Sequence, residues 1–141
     1  MERAAVTPVL LDTHVVIWLT EENRRLGRRA RRLADRALAR DAIAVSAISF
    51  WETAMLLQRG RIEIKSSAEA WRRSVLDLGI EEIPVTGDIG ILAATLPGDF
   101  SQDPADRIIA ATASVHGATL LTADDRLLDW PGRLARHDAR N

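Results

Sequence analysis

Four times along this chain a short apolar run meets a hydroxyl or acidic residue and passes at once into a stretch of helical periodicity. Residues 9–11 meet Asp12, 43–45 meet Ser46, 82–85 meet Thr86 and 119–121 meet Thr122. Runs this short and this apolar suit strands buried on both faces, and a sheet of such strands needs helices above and below it. A helix after every strand also argues against hairpins, because a strand that returns in the same direction needs a crossover. The pattern predicts an α/β fold, with a mainly parallel central sheet of four to five strands flanked by helices.

The sharpest helix start is at 103–117. Asp103 suits the N-cap, Pro104 suits N1, where no donor is needed, and Asp106 falls at N3. Ile108, Ile109, Ala111, Thr112 and Val115 then form an apolar stripe, and Gly117 suits the C-cap before the next strand.

The other helices follow the same logic. One is expected after Asp12, from Thr13 to Leu19. Leu26, Ala30, Leu33, Ala37 and Leu38 mark an amphipathic helix with arginines on its other faces. Ser46 or Ser49 opens a helix ended by Gly60, with Ser49 and Glu52 in the form of a capping box. Residues 61–65 alternate like a short edge strand or extended linker, and Ser66 or Ser67 opens a helix closed at Gly79. A helix at 87–96 and a short one at 125–128 complete the set, and a polar tail follows Gly132. One domain is expected over 1–141, with its core at about 8–130.

The absence of cysteine excludes disulfides, thiolate metal sites and a cysteine nucleophile. No basic-then-apolar leader is visible, and apolar runs such as 15–19 are too short to span a bilayer, so a cytoplasmic protein is expected. The net charge of -1 hides a segregation: eight arginines lie in 24–40 with Asp35 as the only acid before Asp41. That stripe, including Arg28, Arg29 and Arg32, suits RNA backbone or a solvated helix face. Lys65 is the only lysine, so the arginine content is partly a compositional habit.

In a parallel α/β sheet, ligands bind beyond the carboxyl ends of the strands, where helix N-termini also point. Asp12 follows the first strand, Asp106 lies in the first turn of its helix, Asp124 follows the last strand, and Glu52 lies about a turn into the helix after the second. Each alone is explained by capping. Four carboxylates from four segments on one rim would repel one another unless they bound hard cations, and oxygen-only ligation suits Mg²⁺ or Mn²⁺. Metal-assisted phosphodiester hydrolysis is the chemistry such a cluster supports, without need of His, Cys or Lys.

Three stretches carry a family resemblance: LLDTHVVIW around Asp12, VSAISFWETAMLLQRGRIEI around Glu52, and DPADRIIAATASVHGATLLTADDRL around Asp106 and Asp124. They resemble PIN-domain proteins, specifically the VapC-type toxins of bacterial toxin-antitoxin pairs. The resemblance implies a PIN-like three-layer fold and a Mg²⁺- or Mn²⁺-dependent ribonuclease. It also implies a homodimer, inhibited by a cognate VapB-type antitoxin. By position it matches the family's four acids to Asp12, Glu52, Asp106 and Asp124, as catalytic residues and metal ligands. Thr122 is the hydroxyl companion of Asp124, Thr13 adjoins Asp12, and Asp103 and Asp125 are cap or outer groups.

Arg107 is expected to hold a carboxylate or to contact RNA phosphate. Trp18, Trp51 and Trp71 sit in apolar helical patterns that suit core or dimer surface. His14, His116 and His137 are scattered, with no His partner at ligand spacing. A signalling receiver would need an acid pair after the first strand and a lysine after the last, and a haloacid-dehalogenase-type phosphatase would need an acid where His14 stands. A non-cleaving RNA-binding or receiver-like α/β module is the remaining alternative, which the complete acid set argues against.

Overall fold

A computed structural model describes residues 7–141. The elements run β1 (Val9–Leu11), α1 (Thr13–Thr20), α2 (Arg28–Ala39), β2 (Ile43–Ser46), α3 (Ile48–Gln58), α4 (Ala68–Asp77), β3 (Glu81–Ile83), α5 (Gly87–Ala94), α6 (Pro104–His116), β4 (Thr119–Thr122), α7 (Asp125–Leu128) and β5 (Arg136–Asp138). The five strands form one sheet in the order β3-β2-β1-β4-β5, with every pair parallel. Each strand-to-strand passage carries at least one helix, as parallel pairing requires.

Strand β1 is the centre of the sheet and of the core. Its three residues are buried, and their side chains alternate between two apolar layers. Val9 and Leu11 join Val15, Val16, Ala30, Ala34, Trp71 and Val75 under α1, α2 and α4. Leu10 joins Ile89, Ile109, Ala110, Ala113 and Leu127 under α5, α6 and α7. Leu10 and Leu11 have no exposed surface, which is worth about 2 kcal/mol each in transfer free energy. The three-layer architecture is therefore set by strands that are apolar on both sides.

Helix α6 is built as its sequence suggests: the Asp103 carboxylate accepts from the Ala105 and Asp106 N–H groups, Pro104 opens the helix, and Gly117 closes it at φ 60°. Its buried run Ala110, Ala111, Thr112 and Ala113 has small side chains, so the helix lies close to the sheet.

Two expectations are corrected, and one left open between two forms is decided. The capping box at Ser49 does not form: α3 starts at Ile48 behind Ala47, which makes no side-chain cap bond, and Ser49 is buried, accepting a hydrogen bond from the Thr13 hydroxyl at 2.8 Å. Of the two forms expected for residues 61–65, the linker is the one found: they form no strand, and Ile62 and Ile64 pack on the core. The polar tail is not outside the core, because 136–138 pair with β4 and Ala139 is fully buried. Arg140 fastens this segment to Asp125 and Asp138, and the Asn141 main-chain oxygen accepts from the first N–H groups of α2.

Gly27 marks the place where the tail meets α2. A Cβ there would lie 2.1 Å from the Asn141 carbonyl carbon and 2.6 Å from that of Arg140. Backbone cannot yield as a flexible side chain does, so Gly27→Ala is expected to cost roughly 1–3 kcal/mol in urea unfolding. An unchanged unfolding midpoint would show that the tail does not seat on α2.

Candidate active site

The sheet order reverses between β1 and β4, since the chain winds from β1 through β2 to β3 and then returns to the other side of β1. A crevice opens at the carboxyl ends of the strands at such a switch point. Here it is a cavity of about 320 Å³ lined by Asp12, His14, Trp18, Glu52, Asp103, Asp106, Ala123, Asp124 and Arg126. All four principal acids expected from the sequence face this one space.

Each acid is aimed by a different element. Asp12 ends β1: its N–H donates to the Leu121 carbonyl of β4, and one carboxylate oxygen accepts from the Thr13 N–H at 2.8 Å. The other oxygen accepts from the Thr122 hydroxyl at 2.6 Å, which links the ends of the two central strands. Asp106, on the first turn of α6, accepts from the Ser101 hydroxyl at 2.7 Å. Asp124 caps α7 and accepts from the Arg126 N–H. Glu52 is carried on α3, which the Thr13 hydroxyl of α1 engages by donating to the Ser49 hydroxyl, while the Thr53 hydroxyl donates back to the Ser49 carbonyl within α3.

Burial and like charge act together on these groups. Burial pushes the Asp12 carboxyl above the ordinary aspartate value despite the Thr122 and Thr13 bonds. It does the same for Glu52, with the Asp12 and Asp103 charges adding to the effect. Burial raises Asp106 to about 7, and Asp12, Asp103 and Asp124 add to it against the Ser101 bond. Partial burial opposes the charge on Asp124 too, but the Arg126 guanidinium and N–H outweigh it and hold this carboxyl below its ordinary value. Arg126 also stands 3.1 Å from Asp106. It is largely in water and bound through two nitrogens to Asp124, so its charge is screened and shared and does not bring Asp106 down.

The other expected residues divide. Thr13 and Thr122 are buried and orient the acids, and Asp103 lines the cavity while capping α6. Asp125 lies outside, exposed and paired with Arg140. Arg107 neither holds a carboxylate nor faces the cavity: its guanidinium donates to the carbonyls of Ala93, Ser101 and Leu96, a strut between α5, α6 and the loop that joins them. Arg28, Arg29 and Arg32 are exposed on α2 and line no part of the cavity. Trp71 is buried, with its indole N–H on the Thr20 hydroxyl, whereas Trp51 is exposed.

Sequence reasoning missed His14, Trp18 and Arg126 as wall residues. His14 and Trp18 are four apart on the helix that Asp12 caps, a spacing that puts them on one face. Arg126 follows Asp124 by two residues, the offset at which an Asp side chain bonds the backbone of a turn. Both signals were present in the sequence.

An all-oxygen donor set from four segments, with Asp12, Glu52 and Asp106 raised by burial and by neighbouring acids, has the chemistry of a site for a hard divalent cation. It is not a finished cage. Among the described residues no three acidic or histidine side chains come together closely enough to hold a metal ion. Asp106 binds its proton more tightly folded than unfolded, so its contribution to stability is full below pH about 4 and is lost as pH rises through about 7. In EDTA, Asp106→Asn is therefore expected to gain stability over the parent protein as pH rises from 4 to 7, by roughly 1–3 kcal/mol at the upper end. Melting curves whose difference stays constant across that range would contradict the burial of a charged Asp106.

Comparison with known proteins agrees with this architecture. A family model for the PIN domain matches residues 9–132. Ribonuclease VapC22 of Mycobacterium tuberculosis is 38% identical over 122 residues, spanning 86% of this chain and 91% of that protein. Among solved structures, the DNA-bound VapBC complex from Salmonella typhimurium superposes with a TM-score of 0.66 at 15% identity, covering 94% of this chain and 98% of that one. A toxin-antitoxin complex from Klebsiella pneumoniae superposes with a TM-score of 0.59 at 22% identity, covering 93% and 97%.

Proposed function

Given that the chain belongs to the PIN-domain family and is a homologue of a VapC ribonuclease, we propose that the acidic cavity is the active site of an endoribonuclease that serves as the toxin of a toxin-antitoxin pair. The observation that carries this reading is the convergence of Asp12, Glu52, Asp106 and Asp124 on one cavity at the switch point of the sheet. RNA is the substrate, and the reaction is hydrolysis of a phosphodiester: a water oxygen bonds to phosphorus, one P–O bond breaks, and the leaving oxygen takes up a proton.

Dependence on Mg²⁺ or Mn²⁺ is part of the proposal, and Asp12, Asp106, Glu52 and Asp124 are the residues that would hold the ion. When bound, such an ion supplies an activated water and offsets the charge that gathers on the phosphoryl oxygens. The rest falls to the chain. Thr122 and the Thr13 N–H fix both oxygens of Asp12, so this carboxylate is preorganised before any ligand arrives. Ser101 does the same for Asp106. A carboxylate not engaged by the ion is within the cavity to accept the proton released by the attacking water. Arg126 and His14 at the wall are placed to meet the phosphate backbone.

The partners follow from the same reading: a VapB-type antitoxin that silences the enzyme, and a second copy of the chain in a homodimer. The solved relatives are toxin-antitoxin and VapBC complexes, which supports the first. No helix among the described residues is long and apolar enough to cross a membrane, and a cytoplasmic setting, where RNA and antitoxin are found, is proposed.

Purified protein is expected to cleave single-stranded RNA when Mg²⁺ or Mn²⁺ is added and to stop in EDTA. Asp12→Asn and Asp106→Asn are each expected to lower the rate by about a hundredfold or more while the circular dichroism spectrum is kept. Cleavage that persists in EDTA, or that survives both substitutions, would refute the reading.

A further inference from the structure

Among the described residues, Arg126 is the one cationic side chain of lasting charge on the cavity wall. Its guanidinium spans two of the four acids: one terminal nitrogen lies 2.9 Å from an Asp124 oxygen and 3.1 Å from an Asp106 oxygen. Its Nε also donates to the second Asp124 oxygen at 3.2 Å, completing a two-pronged pair. The lone pairs that accept these N–H groups are the ones a divalent cation would need. The engagements of Asp12 and the other one of Asp106 are of another kind: Thr122, Thr13 and Ser101 give neutral donors, which orient a carboxylate without opposing a cation.

We propose that Arg126 is a built-in counter-cation, which bridges Asp106 and Asp124 when no divalent ion is bound and must leave them for the ion to enter. This rests on the reading of the cavity as a divalent-ion site. The bridge gives a physical reason for the lack of a ready three-acid cage among the described residues: two of the acids are turned to Arg126. It also limits the repulsion that four converging carboxylates would otherwise feel in the ion-free protein. Departure is open to this side chain, because it is 61% exposed and its guanidinium's polar partners among the described residues are the carboxylates of Asp124 and Asp106. A half-buried arginine such as Arg107, tied to three carbonyls, has no such freedom. Once displaced, the guanidinium remains at the cavity mouth, where a phosphate of the substrate can take it as a two-pronged partner.

The test measures ion binding rather than cleavage. Mn²⁺ is titrated into the parent protein, Arg126→Gln and Arg126→Lys, with affinity read by calorimetry or by the electron paramagnetic resonance of free Mn²⁺. Arg126→Gln is expected to bind Mn²⁺ roughly three- to thirtyfold more tightly than the parent, and Arg126→Lys, which keeps the charge without the fork, to fall between them. In the parent protein, the Arg126 Nε–H resonance is expected to lose its protection from solvent exchange as Mg²⁺ saturates the site. This second readout needs no variant to fold. Equal or weaker Mn²⁺ binding by Arg126→Gln, or an Nε–H that stays protected at saturating Mg²⁺, would overturn the role of Arg126 while leaving the ion site intact. Absence of Mn²⁺ binding in all three proteins would instead remove the ion site itself, and this proposal with it.

Discussion

The structure depends on bringing several carboxylates to one end of a sheet whose strands are buried on both faces. Parallel strands place their carboxyl ends, and the N-termini of the following helices, along a single rim. The same apolar strands that make the three layers stable therefore also gather Asp12, Glu52, Asp106 and Asp124 around a cavity of about 320 Å³. Gathering them costs solvation and repulsion, visible in the raised Asp12, Glu52 and Asp106 carboxyls. The surrounding core offsets that cost, with Leu10 and Leu11 of β1 directly behind Asp12.

The supporting groups differ according to what they must allow. Asp12 is fixed on both oxygens by neutral donors and ties β1 to β4. Asp106 rides on a helix whose small residues let it approach the sheet closely, and whose cap is Asp103. Asp124 is held by a charged partner and sits on the short helix α7, which Arg140 links to the tail through Asp125. The cavity thus joins Asp12, held by neutral donors alone, to Asp106 and Asp124, which share the charge of Arg126.

Much of this was legible in the sequence, for identifiable reasons. Short apolar runs and helix starts are local signals, so the parallel sheet, α6 with both caps, and the four acids could be read from neighbouring residues. The errors lie where a distant contact overrides a local pattern. Ser49 has the spacing of a capping box, but the Thr13 hydroxyl takes it into the core. The segment at 136–138 is polar, and only the free edge of β4 makes it a strand. Arg107 looks poised beside an acid, yet three carbonyls on separate parts of the loop and helix claim it. The pairing of Arg126 with Asp124 is local, whereas its approach to Asp106, twenty positions away in the chain, exists only in space.

The central claim is that the four carboxylates share a divalent ion. Its most direct test is a crystal grown with Mn²⁺, with anomalous scattering collected at the manganese edge. The account predicts an anomalous peak inside the cavity, in contact with the carboxylates of Asp12 and Asp106 and with the Arg126 guanidinium withdrawn from it. Well-ordered density for all four acids with no peak between them at saturating Mn²⁺ would contradict it.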